Sequence, residues 1–207
     1  LDWVLFLSAL TLSIAGGVFV FAATRNVGVG DDPEAFLKRH AINLVIGGLV
    51  NALGLPLYLD SIGTILATVL AGPAVGVLAG AIGQLLFGLI NGYQWIPFGL
   101  IQVVIAILAG LAASRAGFRG TGRSVAWGLL TGLVAGALSS VISYVLFKGV
   151  TATGTTAVVT ILRQLGWSLP VAVTASSLAL DLVDKAVAFA VVGALVLLWA
   201  VNKFRGG

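Results

Sequence analysis

Apolar residues gather in seven long runs, at roughly Trp3–Ala23, Ala41–Leu55, Ile62–Ala71, Ala74–Ile90, Pro97–Ala113, Val125–Phe147 and Val171–Val201. A helix needs about 20 such residues to cross a bilayer, or about 17 at the short end. The second and third runs fall short of that, so they are expected to be tilted or to pair around an irregular stretch. The first run is longer than a typical signal-peptide core, follows Asp2 rather than basic residues, and has no clear cleavage site, which predicts a retained helix. The pattern predicts an all-α fold, a polytopic membrane helix bundle.

Composition closes off the other classes. Hydrophobic residues make up 59% of the 207, charged residues 9%, and the mean hydropathy is +1.14. Soluble domains carry about 25% charge, so a water-soluble globule is excluded, and so much apolar surface excludes a disordered chain. With no cysteine and one histidine, the sequence offers no disulfide framework, no thiolate or histidine metal site and no cysteine nucleophile. No methionine is present and residue 1 is Leu, so the sequence is expected to lack its natural start.

The formal charge of +4 would suggest nucleic acid in a soluble protein; here it reads as topology, with the lipid bilayer as partner and no nucleic acid. Seven crossings with the N-terminus outside put Arg25, Lys38, Arg39, Arg115, Arg119, Arg123, Lys203 and Arg205 inside, eight of the eleven basic residues. Lys148 and Arg163 fall outside, and Lys185 sits within the last helix. The opposite orientation inverts this asymmetry, so the positive-inside rule predicts a cytoplasmic C-terminus in a cell membrane. Glycines at Gly72, Gly76 and Gly80, and again at Gly128, Gly132 and Gly136, recur every four residues. Lipid provides no hydrophobic drive between helices, so such stripes predict close backbone packing.

In this orientation the polar residues of the spans gather at the outer end. The last run is apolar from Ala186 to Val201, sixteen residues, or about 24 Å at 1.5 Å per residue. That sets Asp181, Asp184 and Lys185 near the outer face, with Asp181 and Lys185 four apart and able to pair. Charges in a span are costly and point to function; an interfacial ion pair that fixes the helix is the plain alternative. Asp60 lies in the outer connection before the third run, Asn91, Tyr93 and Trp95 in the next outer turn, Gln102 just inside the following helix, Tyr144 at a helix end, and Trp167 in the long connection 148–169. Any one of these aromatics could belong to an interfacial belt. Together, amides, carboxylates and aromatics in apolar walls suit a small organic ligand. Aromatic faces could hold a flat heterocycle while amides read its edge. The long connection is a candidate lid.

Two motifs are discounted. Gly117–Ser124 reads G-F-R-G-T-G-R-S, close to a phosphate-binding loop, but Arg123 replaces the Lys and membrane helices replace the strand and helix that such a loop needs. Gly28-Val29-Gly30-Asp31 matches a short string of intramembrane aspartyl proteases, but the other intramembrane carboxylates map to the opposite side, so no pair can share a water. No catalytic residue, metal site or cofactor is expected, and no enzyme.

Leu55–Gly80 reads L-P-L-Y-L-D-S-I-G-T-I-L-A-T-V-L-A-G-P-A-V-G-V-L-A-G. With Asp181-Leu182-Val183-Asp184-Lys185 ahead of a long apolar tail, it resembles the substrate-binding S components of energy-coupling factor (ECF) transporters. The resemblance runs from about Ala41 to Val201. It implies a six-helix S-component domain over 41–207, with 1–40 an additional N-terminal transmembrane helix and its cytoplasmic connection. It also implies high-affinity binding of a vitamin or related micronutrient, with a transmembrane coupling protein and two cytoplasmic ATPases as partners. Gly48 and Ala52 match the small-residue spacing at which the family's first helix meets the coupling protein. Rival readings are a membrane sensory or scaffold domain that moves nothing, and a self-sufficient carrier, for which inverted repeats and midplane ionisable groups are lacking.

Overall fold

A Gly-Pro pair splits what would otherwise be one long apolar helix. Gly72 adopts φ 93°, a left-handed backbone that favours glycine, and its N–H closes the preceding helix on the Thr68 carbonyl at 2.9 Å. Pro73 then opens the next helix, where its missing N–H costs nothing. The computed structural model describes residues 60–151 and 154–205, and we number its helices within that range. They are α1 (Ile62–Ala71), α2 (Pro73–Asn91), a 3-10 helix (Tyr93–Phe98), α3 (Gly99–Ser114), α4 (Thr121–Phe147), α5 (Gly154–Gln164) and α6 (Leu169–Arg205). All regular elements among the described residues are helices, as the apolar runs predict.

Tyr93–Ser114 and Thr121–Phe147 are each long and apolar enough to cross a membrane. The short third run is α1 residue for residue, a half-length helix paired with α2 through the Gly-Pro turn. One element differs from the sequence reading. Part of the long connection 148–169 is helical, as α5, whose Val159 and Leu162 pack on Leu169, Ala172 and Val173 of α6. Its single apolar face is an amphipathic pattern too short to stand out as a span.

α4 and α6 run antiparallel, stitched by glycine. Gly128 meets Lys185 and Ala186, Gly132 meets Asp181 and Leu182, and Gly136 meets Ser177 and Leu178. A Cβ on Gly132 would lie 2.6 Å from the Asp181 carbonyl oxygen, so the two backbones touch here and no side chain fits between them. Of the other predicted stripe, Gly76 and Gly80 do face α1, whereas Gly72 ends a helix instead. Ile65, Ile105, Phe189 and Val192 fill the core between α1, α3 and α6, while Leu78, Ile82, Leu133 and Val141 lie on the outer surface. Gly48, Ala52, the first two apolar runs and the additional N-terminal helix lie outside the described residues.

Candidate functional site

Three helices bring one polar network together. Thr64, a turn into α1, donates from Oγ1 to Gln102 Oε1 at 2.9 Å. That contact fixes which way the amide points, and Gln102 Nε2 donates to Asp60 Oδ2, also at 2.9 Å. Asp60 in turn meets α6, its Oδ1 3.5 Å from Lys185 Nζ. Gly80 of α2 makes room for this crossing, since a Cβ there would lie 2.9 Å from both Gln102 Cβ and Thr64 Oγ1.

Lys185 is the hub. Its ammonium lies 2.5 Å from Asp184 Oδ2, 3.5 Å from Asp60 and 3.9 Å from Asp181 Oδ1. The sequence spacing points to Asp181 as the partner, but the adjacent Asp184 is nearer. Lys185, Asp184 and Asp181 are buried, and charges taken out of water persist when paired and hydrogen-bonded. Asp60 is the open member, its side chain 47% exposed. Gln102 and Lys185 lie buried behind it.

Lys185 stands sixteen residues beyond the start of α6 at Leu169 and twenty before its end at Arg205, about 24 and 30 Å along the axis.

Above Gln102 on the same helical path sits an aromatic cluster. Trp95 in the 3-10 helix packs on Phe147 at 5.2 Å, on Phe98 at 5.6 Å and edge-on to Phe87 at 6.0 Å between ring centroids. Gln84 Nε2 donates to the Trp95 carbonyl at 2.9 Å, which ties the 3-10 helix to α2. Phe98 precedes Gln102 by four residues, so rings and amide share one face of this continuous helical segment. An open cleft of about 370 Å³ is lined by Pro170, Val171, Thr174, Ala175 and Leu178 of α6. The stripe Val171, Thr174, Leu178 continues at helical spacing to Asp181 and Lys185.

The structure thus unites Asp60, Gln102, Asp181, Asp184 and Lys185, and gives Trp95 aromatic neighbours. It does not bring in the rest. Tyr93 is 73% exposed, Tyr144 lies beneath Lys148 with Nζ 5.9 Å from its ring centroid, and Trp167 is exposed, its carbonyl accepting from Arg163 at 2.7 Å. The side chain of Asn91, at the end of α2, lies outside the described residues. Thr64, Phe98 and Phe147 are the residues that sequence reasoning missed. A hydroxyl one turn past Asp60 was a usable signal for Thr64, whereas nothing local links Phe147 to Trp95. Among the described residues, no group of three or more His, Cys, Asp or Glu is arranged to hold a metal ion.

The model of one protein family, the ECF-type riboflavin transporter S component, matches residues 40–203. The chain belongs to that family. No curated relative and no solved structure matches it. As an S component it belongs to a family of membrane transport proteins, not of enzymes, and the helix bundle and apolar spans described above agree with that. The resemblance at Leu55–Gly80 and Asp181–Lys185 falls within the matched range.

Proposed function

We propose that this S component binds riboflavin, or a vitamin with the same flat, edge-polar ring system, and presents it for uptake. The observation that carries the reading is the joining of two chemistries along one helical face: the rings around Trp95, then the Gln102–Asp60–Lys185 network. A tricyclic heterocycle offers a face for aromatic packing and an imide edge with both donors and acceptors. An amide held by Thr64, a half-exposed carboxylate and an ammonium supply the complementary set. The family's name, which specifies riboflavin, supports the same ligand.

In this reading a separate module provides the energy, a transmembrane coupling protein with two cytoplasmic ATPases docking near Gly48 and Ala52. The chain sits in the cell membrane with its N-terminus outside, residues 1–40 forming an additional helix ahead of the S-component domain at 41–207. Support for that division is that the family match begins at residue 40. Titrating riboflavin, thiamin and pyridoxal separately into the purified chain tests the ligand. Quenching of flavin fluorescence with saturable binding is expected, with thiamin and pyridoxal inert. Saturable binding of either of those with none of riboflavin overturns the assignment.

A further inference from the structure

Buried hydroxyls on the helices of this bundle mostly bond within their own helix. Thr68, Thr131 and Ser176 each donate to the carbonyl four residues back, at 2.8, 2.8 and 2.7 Å, the local bond open to any helical Ser or Thr. Thr64 departs from that habit. Its Oγ1 crosses to α3 and donates to Gln102 Oε1 at 2.9 Å, and both residues are buried. The crossing is crowded from the side of α2, where a Cβ on Gly80 would lie 2.9 Å from Thr64 Oγ1 and from Gln102 Cβ.

An amide has two ends of opposite character, an oxygen that accepts and a nitrogen that donates. With Oε1 held by Thr64, Nε2 is turned to Asp60 and donates to Oδ2 at 2.9 Å, while Lys185 Nζ stands 3.5 Å from Oδ1. One donor on each oxygen fixes the plane of the carboxylate. An ionised carboxylate has about four lone-pair sites and no hydrogen to give, so roughly two remain to accept. They belong to the half-exposed member of the network.

We propose that Thr64 is a positioning residue that makes Asp60 a selective acceptor, so that the site takes flat heterocycles with an N–H on the ring edge and rejects those without one. The inference rests on the riboflavin reading above and deepens it: the group read is the imide N–H of the ring. Phe98 and Trp95 lie one turn and two turns before Gln102, so a ring packed on them brings an edge within reach of Asp60. An edge without a donor would leave the carboxylate desolvated and unpaired, a mismatch that discriminates more sharply than a lost apolar contact. Without the Thr64 hydroxyl, Oε1 becomes a buried acceptor left unpaired, which penalises this amide orientation, and Asp60 loses one of its two guides.

Calorimetric titration of the full chain with riboflavin and with 3-methylriboflavin, whose imide N–H is replaced by N–CH3, reads the selectivity as a ratio of Kd values. The unaltered chain should favour riboflavin by at least about tenfold, the size of one hydrogen bond to a charged group. Thr64→Val keeps the shape of the side chain and loses the hydroxyl, so the ratio should fall to about threefold or less. Thr64→Ser keeps the hydroxyl and loses the methyl, and should hold the ratio within about twofold of the unaltered value. A role in packing alone would reverse that order and overturn the inference. If Thr64→Val does not accumulate, Thr64→Ala set against Thr64→Ser isolates the hydroxyl in the same way. Asp60→Ala should bring the ratio near one. Equal affinity of the two flavins for the unaltered chain overturns the inference and leaves the riboflavin reading standing; weaker binding of lumiflavin, which lacks the ribityl chain, would then assign Asp60 to the ribityl hydroxyls. Absence of saturable binding by either flavin overturns the riboflavin reading and this inference with it.

Discussion

α6 makes two kinds of contact with its neighbours, and they are built on different physics. Along α4 it is joined by Gly128, Gly132 and Gly136, backbone against backbone, at the levels of Lys185, Asp181 and Ser177. Along α5 it is joined by side chains, Val159 and Leu162 resting on Leu169, Ala172 and Val173. The first contact leaves no slack, because moving one helix moves the carbonyls that bracket the buried charges. The second is a small apolar seat bounded by Gly149 at φ 81° and Gly166 at φ 89°. Among the described helices, backbone-to-backbone packing thus falls where a charged network must be held in register, and side-chain packing seats the helix of the long connection. In lipid, where apolar surface alone drives little association, close approach through small residues is what sets such precision.

The sharpest way to break the tight contact is from the charge it holds. Lys185→Met removes the ammonium 2.5 Å from the fully buried Asp184, and stripping one partner from a buried ion pair costs about 3–5 kcal/mol. Denaturation midpoints in mixed micelles should show a loss of that size; a drop below about 1 kcal/mol would mean that Lys185 does not hold these charges. Gly132→Val attacks the same seam sterically. Its Cβ alone would lie 2.6 Å from a backbone oxygen, and overpacking of this kind costs about 1–3 kcal/mol. The same denaturation should register it, and a neutral outcome would show that the helices separate easily.

The looser contact predicts a smaller and more local response. Val159→Ala removes side-chain contact from the seat of α5, and should shift global stability by less than about 1 kcal/mol. Hydrogen exchange should quicken in Gly154–Gln164 while α4 amides stay as protected as before. Equal quickening in both helices would erase the contrast between the two contacts.

What the sequence made legible follows from the length of each signal. α1, α2, α3, α4 and α6 were visible as apolar runs, because a helix in lipid must satisfy its backbone internally and clothe itself in hydrocarbon. α5 was not visible, since one short amphipathic face inside a threonine-rich connection resembles a loop. Asp181, Asp184 and Lys185 stood out as charges in a span, and Asp60 and Gln102 as polar residues beside the same end. Their union depends on the crossing of α1, α3 and α6, which only tertiary structure supplies. Tyr93, Tyr144 and Trp167 shared composition with Trp95 but not its neighbours, and sequence alone had no means of separating them.

The account rests on the rings around Trp95 and the Asp60–Gln102 network acting as one binding surface. Calorimetric titration of riboflavin into the unaltered chain, Trp95→Ala and Asp60→Asn, with thermal midpoints measured in the same detergent, tests this most directly. Asp60 is exposed and Trp95 half-buried, so both variants should stay folded, and the midpoints separate lost affinity from lost stability. Affinity should fall about tenfold in each, the size expected for one lost aromatic contact or one lost charge-assisted hydrogen bond. Unchanged affinity in both variants, with saturable riboflavin binding intact, would contradict the account.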